Sequence, residues 1–201
     1  LSRMASPDVA VITCIADSHA GFFESLADIA AAKAEIFDGM DKDGLAILNR
    51  DDAFIEYLTT RAQAAGVNDI VTFGRHEDAD FRLLDVEPAA AGQMVDASLR
   101  GTASRFALGM RNAHWAHNSM AVLAAVYALG FDPADAASNL NDFNDPNATF
   151  SEDDIENYHS KTQGYEGGDW VDALIKNNAP TIVVIFVSVL AVPLEVIKPP
   201  L

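Results

Sequence analysis

Four short segments carry residue types that could do chemistry. His19 lies in a loop after an apolar run, where a neutral imidazole could bind a metal or orient a phosphate. A solvated loop histidine is the plainer alternative. Lys33 sits in AAAKAEIF, on a helix face shared with Ile29, Ala30 and Phe37. On the surface it would snorkel. Pulled inward, it would have a lowered pKa and could react with carbon dioxide to form a carbamate, an anionic oxygen ligand suited to Mg²⁺. Asn49-Arg-Asp-Asp52 follows a second apolar run. The Asn49 amide both donates and accepts, so it could pair with a base edge or a hydroxyl. Asp51 or Asp52 is expected to cap the next helix. His114-Trp-Ala-His-Asn118 opens a long apolar helix. His114 and Asn118, four apart, share one helix face and need partners from a ligand or from neighbouring backbone.

Stronger motifs are missing from the 201 residues. There is no Gly-x-x-x-x-Gly-Lys-[Ser/Thr] loop, no Gly-x-Ser-x-Gly elbow and no His-Glu-x-x-His. The single cysteine, Cys14, excludes an internal disulfide and a cysteine-rich zinc module, and suits a reducing compartment. Thirteen Lys and Arg against 30 Asp and Glu give a net charge of −17, the wrong balance for nucleic acid. A small anionic ligand remains compatible, held by a few donors or through a metal. Half of the residues are apolar, enough for a packed core. No basic segment followed by an apolar run opens the chain, so no signal peptide is expected. The longest apolar run, residues 181–192, is shorter than the roughly 20 residues of a spanning helix and reads as a buried strand.

The elements that must position these residues follow an alternating order. Residues 9–13 (VAVIT), 45–48 (LAIL) and 70–73 read as buried parallel strands. Ser25 and Asp28 form a capping-box variant opening a helix that stops near Gly39, and a second helix runs to about Ala65, closed by Gly66. The β-α-β-α-β order predicts an α/β fold with a parallel, helix-covered sheet. Residues 81–86, 94–99 and 105–108 then read as an antiparallel meander. Residues 115–129 form a helix expected to be largely buried, and Asp132-Pro133 opens another that runs to about Phe143. Residues 144–201 have no assignment beyond the strand at 181–192.

Taken together these segments resemble the central ATPase domain of the Mur ligases, over residues 1–143. A strand of the VAVIT kind leads to a loop His, then a helix containing AKxEIF, then a strand ending in NxDD. GMRNAHWAHNSMAVLAAVYALG is similar to the family's Gly-x-His-x-x-x-Asn-x-Leu-Ala-Ala helix. The nearest likeness is to the branch that adds D-alanyl-D-alanine. FFESL and AKAEIF stand where the related folylpolyglutamate synthases usually carry LGxT and EKAGI.

The resemblance implies an ATP- and Mg²⁺-dependent ligase of peptidoglycan precursor synthesis. Its substrates would be a UDP-linked muramoyl tripeptide and D-alanyl-D-alanine, joined through an acyl phosphate. It implies that His19 and Lys33, the latter as a carbamate, hold the second metal. Asn49, His114 and Asn118 would fall on the adenine side. Trp115 stands where many members carry an Asn. The family's phosphate loop is expected upstream of Leu1, and these residues alone are expected not to turn over. A non-catalytic nucleotide-binding module of the same fold is the alternative from another class.

Overall fold

The computed structural model describes residues 6–16, 23–90, 92–111 and 113–140, with the backbone alone of 182–185. The predicted helix end at Phe143 and most of the 144–201 segment lie outside the described residues, as does His19.

The parallel strands form as read. β1 (Val9–Ile12) is buried at every position. β2 (Leu45–Asn49) and β3 (Asp69–Gly74) extend the same parallel ladder, with Val11 opposite Ile47 and Ile47 opposite Val71. A strand covered on both faces is apolar at successive residues, which is why VAVI and LAI show no alternation.

α1 (Leu26–Ala34) begins at Ser25, whose hydroxyl accepts from the Asp28 N–H and donates to its carboxylate. That reciprocal pair satisfies one of the helix's unbonded amide donors. The helix tightens into a 3₁₀ turn over Glu35–Gly39. α2 (Ile55–Ala64) ends at Gly66, whose φ of +95° closes the helix in the left-handed region.

The meander is longer than its apolar runs. β4 (Phe81–Ala89) pairs parallel with β3, and β5 (Gly92–Leu99) and β6 (Thr102–Leu108) follow antiparallel. A register shift between Leu83 and Asp85 breaks the period-2 pattern, which hides the second half of β4 from a periodicity reading. The sheet order is β6-β5-β4-β3-β2-β1-β7, with β7 (Ile182–Ile185) parallel to β1. The far-off 182–185 segment thus joins the parallel ladder. Whether its side chains are covered lies outside the described residues, as do the other positions of the expected 181–192 strand.

Successive residues of the central strands serve two cores. Val9, Val11, Ile47, Val71 and Phe73 face α3 (Ala113–Ala128), through Ala116, Met120, Leu123 and Ala124. Ala10, Ile12, Ala46 and Leu48 face the opposite layer, with Ala34, Phe37, Leu58 and Ala62. Each large side chain buried this way contributes about 1.5–3 kcal/mol.

α3 lies across β1 to β4 and also packs on α4 (Pro133–Asn139). Over residues 115–129 the helix is buried or half-buried as expected, with two exceptions. It packs through one apolar stripe that includes Ala116, Met120, Leu123 and Ala124, and Trp115 and Val122 on its outer side are 38% and 37% exposed. Its uniform apolarity comes from alanine, which is tolerated on either face. α4 begins as read, with the Asp132 carboxylate accepting from the Ala134 N–H and Pro133 in the first turn.

Candidate functional site

The parallel strands β1, β2 and β3 end along one edge of the sheet, at Thr13-Cys14, Asn49 and Gly74. Ligands of open α/β sheets gather at such carboxyl edges. Lys33 reaches this edge from the last turn of α1, and its ammonium donates to the Cys14 carbonyl at 2.7 Å. Burial lowers the Lys33 pKa from the ordinary lysine value, against the opposing pull of Cys14 and Asp52. The side chain is therefore turned inward.

Asp52 closes the same corner. One carboxylate oxygen accepts from the Ile15 N–H at 2.7 Å and the other from the Phe54 N–H at 2.8 Å. It ties the segment after β1 to the turn after β2, while its backbone carbonyl accepts from Ile55. This is an Asx turn leading into α2, two residues before the Phe54 cap, which has no side-chain bond of its own.

Asp51 does not cap the helix. It points across to the end of β3, where it accepts from the Arg75 N–H at 2.7 Å and the His76 N–H at 2.9 Å. The His117 Nε2 lies 3.1 Å from the same carboxylate. Because a carboxylate only accepts, Nε2 carries the hydrogen in this pair. Burial pushes the Asp51 pKa up, but the two backbone donors and His117 together outweigh it and hold the carboxyl below its usual range. Gly74 makes the approach feasible. Its φ is +146°, and a Cβ there would stand 2.7 Å from an Asp51 oxygen. His117 also meets the Phe73 ring edge-on, centroids 5.3 Å apart.

Of the residues singled out in the sequence, Lys33 and Asn49 stand at this edge. Asn49 is 8% exposed and is engaged by backbone. Its Nδ2 donates to the Thr13 carbonyl at 2.8 Å, and its Oδ1 accepts from the Asp51 N–H at 2.9 Å, so it staples β2 to β1. His114 is exposed in the first turn of α3, tilted against Trp115 at 5.2 Å. Asn118 is half-buried on α3. The connection between the edge and α3 runs instead from Asp51 to His117, which the sequence reading passed over. A signal was present: Met120, Ala121 and Ala124 lie three, four and seven residues on from His117, and all are buried. His117 therefore heads the inward stripe of α3. Among the described residues no three His, Cys, Asp or Glu gather as a metal site, and no helix is long and apolar enough to cross a membrane.

Comparison with known proteins gives this edge a context. The family described as Mur ligase middle domain matches residues 1–126. The chain is 34% identical over 135 residues to the UDP-N-acetylmuramate–L-alanine ligase of Streptomyces avermitilis, covering 67% of this chain and 29% of that protein. It is also 34% identical over 141 residues to the UDP-N-acetylmuramoyl-tripeptide–D-alanyl-D-alanine ligase of Bacillus subtilis, covering 70% and 29%. The solved MurF of Acinetobacter baumannii superposes with a TM-score of 0.63 at 26% identity, over 70% of this chain and 30% of that one. Folylpolyglutamate synthase of Mycobacterium tuberculosis, solved with ADP, shares the fold with a TM-score of 0.58 at 24% identity, over 72% and 33%. The chain thus spans less than a third of the curated relatives it matches. With a match that takes in more than half of its residues and the expected α/β sheet, the chain belongs to the Mur ligase family.

Proposed function

We propose that this chain is part of a cytoplasmic, ATP-dependent ligase of peptidoglycan precursor synthesis that joins D-alanyl-D-alanine to a UDP-N-acetylmuramoyl tripeptide through an acyl phosphate. Lys33 is the observation that carries the reading: a lysine drawn inward to the carboxyl edge of the parallel strands, in a chain of this family. A surface lysine would have no reason to desolvate its ammonium there.

Mg²⁺ fits this edge on one condition. As an ammonium, Lys33 repels a cation, and the described residues gather no other metal-binding set. As a carbamate, it offers an anionic oxygen of the class that Mg²⁺ takes. Its lowered pKa favours the neutral amine that carbon dioxide requires. In this reading Lys33 and His19 hold the metal, which would neutralise charge at the transferring phosphoryl group. Asn49 stands on the adenine side, orienting the base through the remaining hydrogen of its amide. His114 and Asn118 supply further polar groups from α3.

The acceptor amine has a second reading. The relative that adds L-alanine matches as well as the one that adds D-alanyl-D-alanine, 34% in each case. Incubating a full-length ligase that contains these residues with ATP and Mg²⁺, and with either UDP-N-acetylmuramoyl tripeptide and D-alanyl-D-alanine or UDP-N-acetylmuramate and L-alanine, separates the two by phosphate release. The 201 residues contain no phosphate-cradling glycine loop, so this chain alone is expected to bind ADP without turnover. Calorimetric titration with ADP tests that, and absence of binding at millimolar ADP overturns the nucleotide reading.

A further inference from the structure

Asp51 sits where three elements meet. Its own backbone belongs to the turn after β2, its carboxylate accepts from two consecutive amides at the end of β3, and the same carboxylate takes the His117 ring of α3. Asn49 is bonded to the Asp51 N–H, so the β2 end and the carboxylate form one rigid unit. His117 lies between His114 and Asn118 on α3, and its ring rests on Phe73, which is fully buried. Gly74 leaves the carboxylate no rival for its place, since any side chain there would occupy it.

We propose that Asp51 is a positioning residue of the nucleotide site, which through His117 fixes the start of α3, with His114 and Asn118, against the end of β2, with Asn49. This inference rests on the adenine reading given above. Its physical content is a distance: α3 otherwise contacts the sheet through apolar side chains, Ala116, Met120, Leu123 and Ala124 among them, whose attraction has no preferred direction and leaves the exposed first turn less fixed than the middle of the helix. One charge-assisted hydrogen bond at its head removes that freedom. A flat base held edge-on by groups from both β2 and α3 needs that separation fixed before it arrives.

The experiment measures ADP affinity of the full chain by calorimetry for wild type, Asp51→Asn, His117→Ala and His117→Gln. Amide hydrogen exchange over residues 114–119 is followed in parallel without ligand. Support is a loss of about tenfold or more for Asp51→Asn and His117→Ala, with faster exchange at 114–119 and most of the affinity restored in His117→Gln, which keeps a donor. His117 is partly exposed, so His117→Ala carries the test if Asp51→Asn fails to fold. Wild-type binding with undiminished affinity in His117→Ala overturns the positioning role and leaves the nucleotide reading standing. No ADP binding by wild type overturns both.

Discussion

The Lys33 ammonium donates to the Cys14 carbonyl across 2.7 Å, joining the last turn of α1 to the end of β1. Two forces act on that proton. Burial disfavours the ammonium, whereas the neighbouring Cys14 and Asp52 favour it. Carbamate formation replaces the ammonium with a nitrogen that keeps a single N–H, so the charge-assisted bond to Cys14 belongs to the uncarbamylated state alone.

From this competition, ¹³C-bicarbonate at alkaline pH is expected to give a carbamate resonance in the wild-type chain. Lys33→Ala should lack it. No resonance at saturating bicarbonate would rule out Lys33 as a carbamate ligand. The lowered pKa also means that the folded state sheds its proton first on alkalinisation. Between the folded value and the free lysine value of about 10.4, the Lys33 contribution to stability rises with pH.

Asn49→Ala is expected to destabilise the chain by about 1–3 kcal/mol, because it leaves the Thr13 carbonyl and the Asp51 N–H without their partner. Urea unfolding gives the value directly. An unchanged midpoint would show that water replaces the staple without loss.

Gly74→Ala should cost more, roughly 2–4 kcal/mol, since it combines a disfavoured φ with displacement of the Asp51 carboxylate. In the double variant with Asp51→Ala the clash is gone, and the cost of Gly74→Ala should fall to its backbone part. Additive effects of the two changes would mean that the carboxylate is not what Gly74 makes room for.

Acid pH isolates the contribution of Asp51. Its carboxyl titrates lower in the folded chain than the free value of about 3.9, so its stabilisation is complete above that value. It is lost as pH falls through the folded value. Asp51→Asn should therefore be less stable than wild type at pH 6, and the gap should narrow towards pH 3. A gap that stays constant across that range would show that the ionised carboxylate is not the stabilising form.

Deleting residues 180–201 uncovers the outer edge of β1, because β7 pairs with it from Val9 to Ile12. An unpaired apolar strand edge is a template for association. The truncated chain is expected to aggregate while the soluble fraction keeps its ADP affinity. Loss of affinity in a monomeric, folded truncation would give the segment a role at the site.

The parallel half of the sheet was legible because a strand buried on both faces shows as a short unbroken apolar run, and 9–13, 45–48 and 70–73 are such runs. The helix starts at Ser25 and Asp132 were legible for the same local reason: the capping side chain is bonded within three residues. What the sequence hid is non-local. Asp51 looks like a cap beside Asp52, and only the fold brings it to Arg75 and His76 across 24 and 25 residues. His114 and Asn118 drew attention by type and spacing, but α3's rotation over the sheet, set by Met120 and Ala124, turns His117 to the edge. Family resemblance supplied roles for residues; it carried no information on this pairing.

The junction between the parallel and antiparallel halves of the sheet has a mechanical consequence. β3 and β4 share only the pairs Phe73 with Phe81 and Gly74 with Arg82, whereas β4 and β5 are paired along nearly their whole length. Tension applied across the sheet would concentrate on those two rungs, and α3, which spans both halves, is the strap that resists it. The meander is thus fastened to the rest of the domain by this short junction and by the helix together. In a pulling experiment it should come away as one piece once α3 yields.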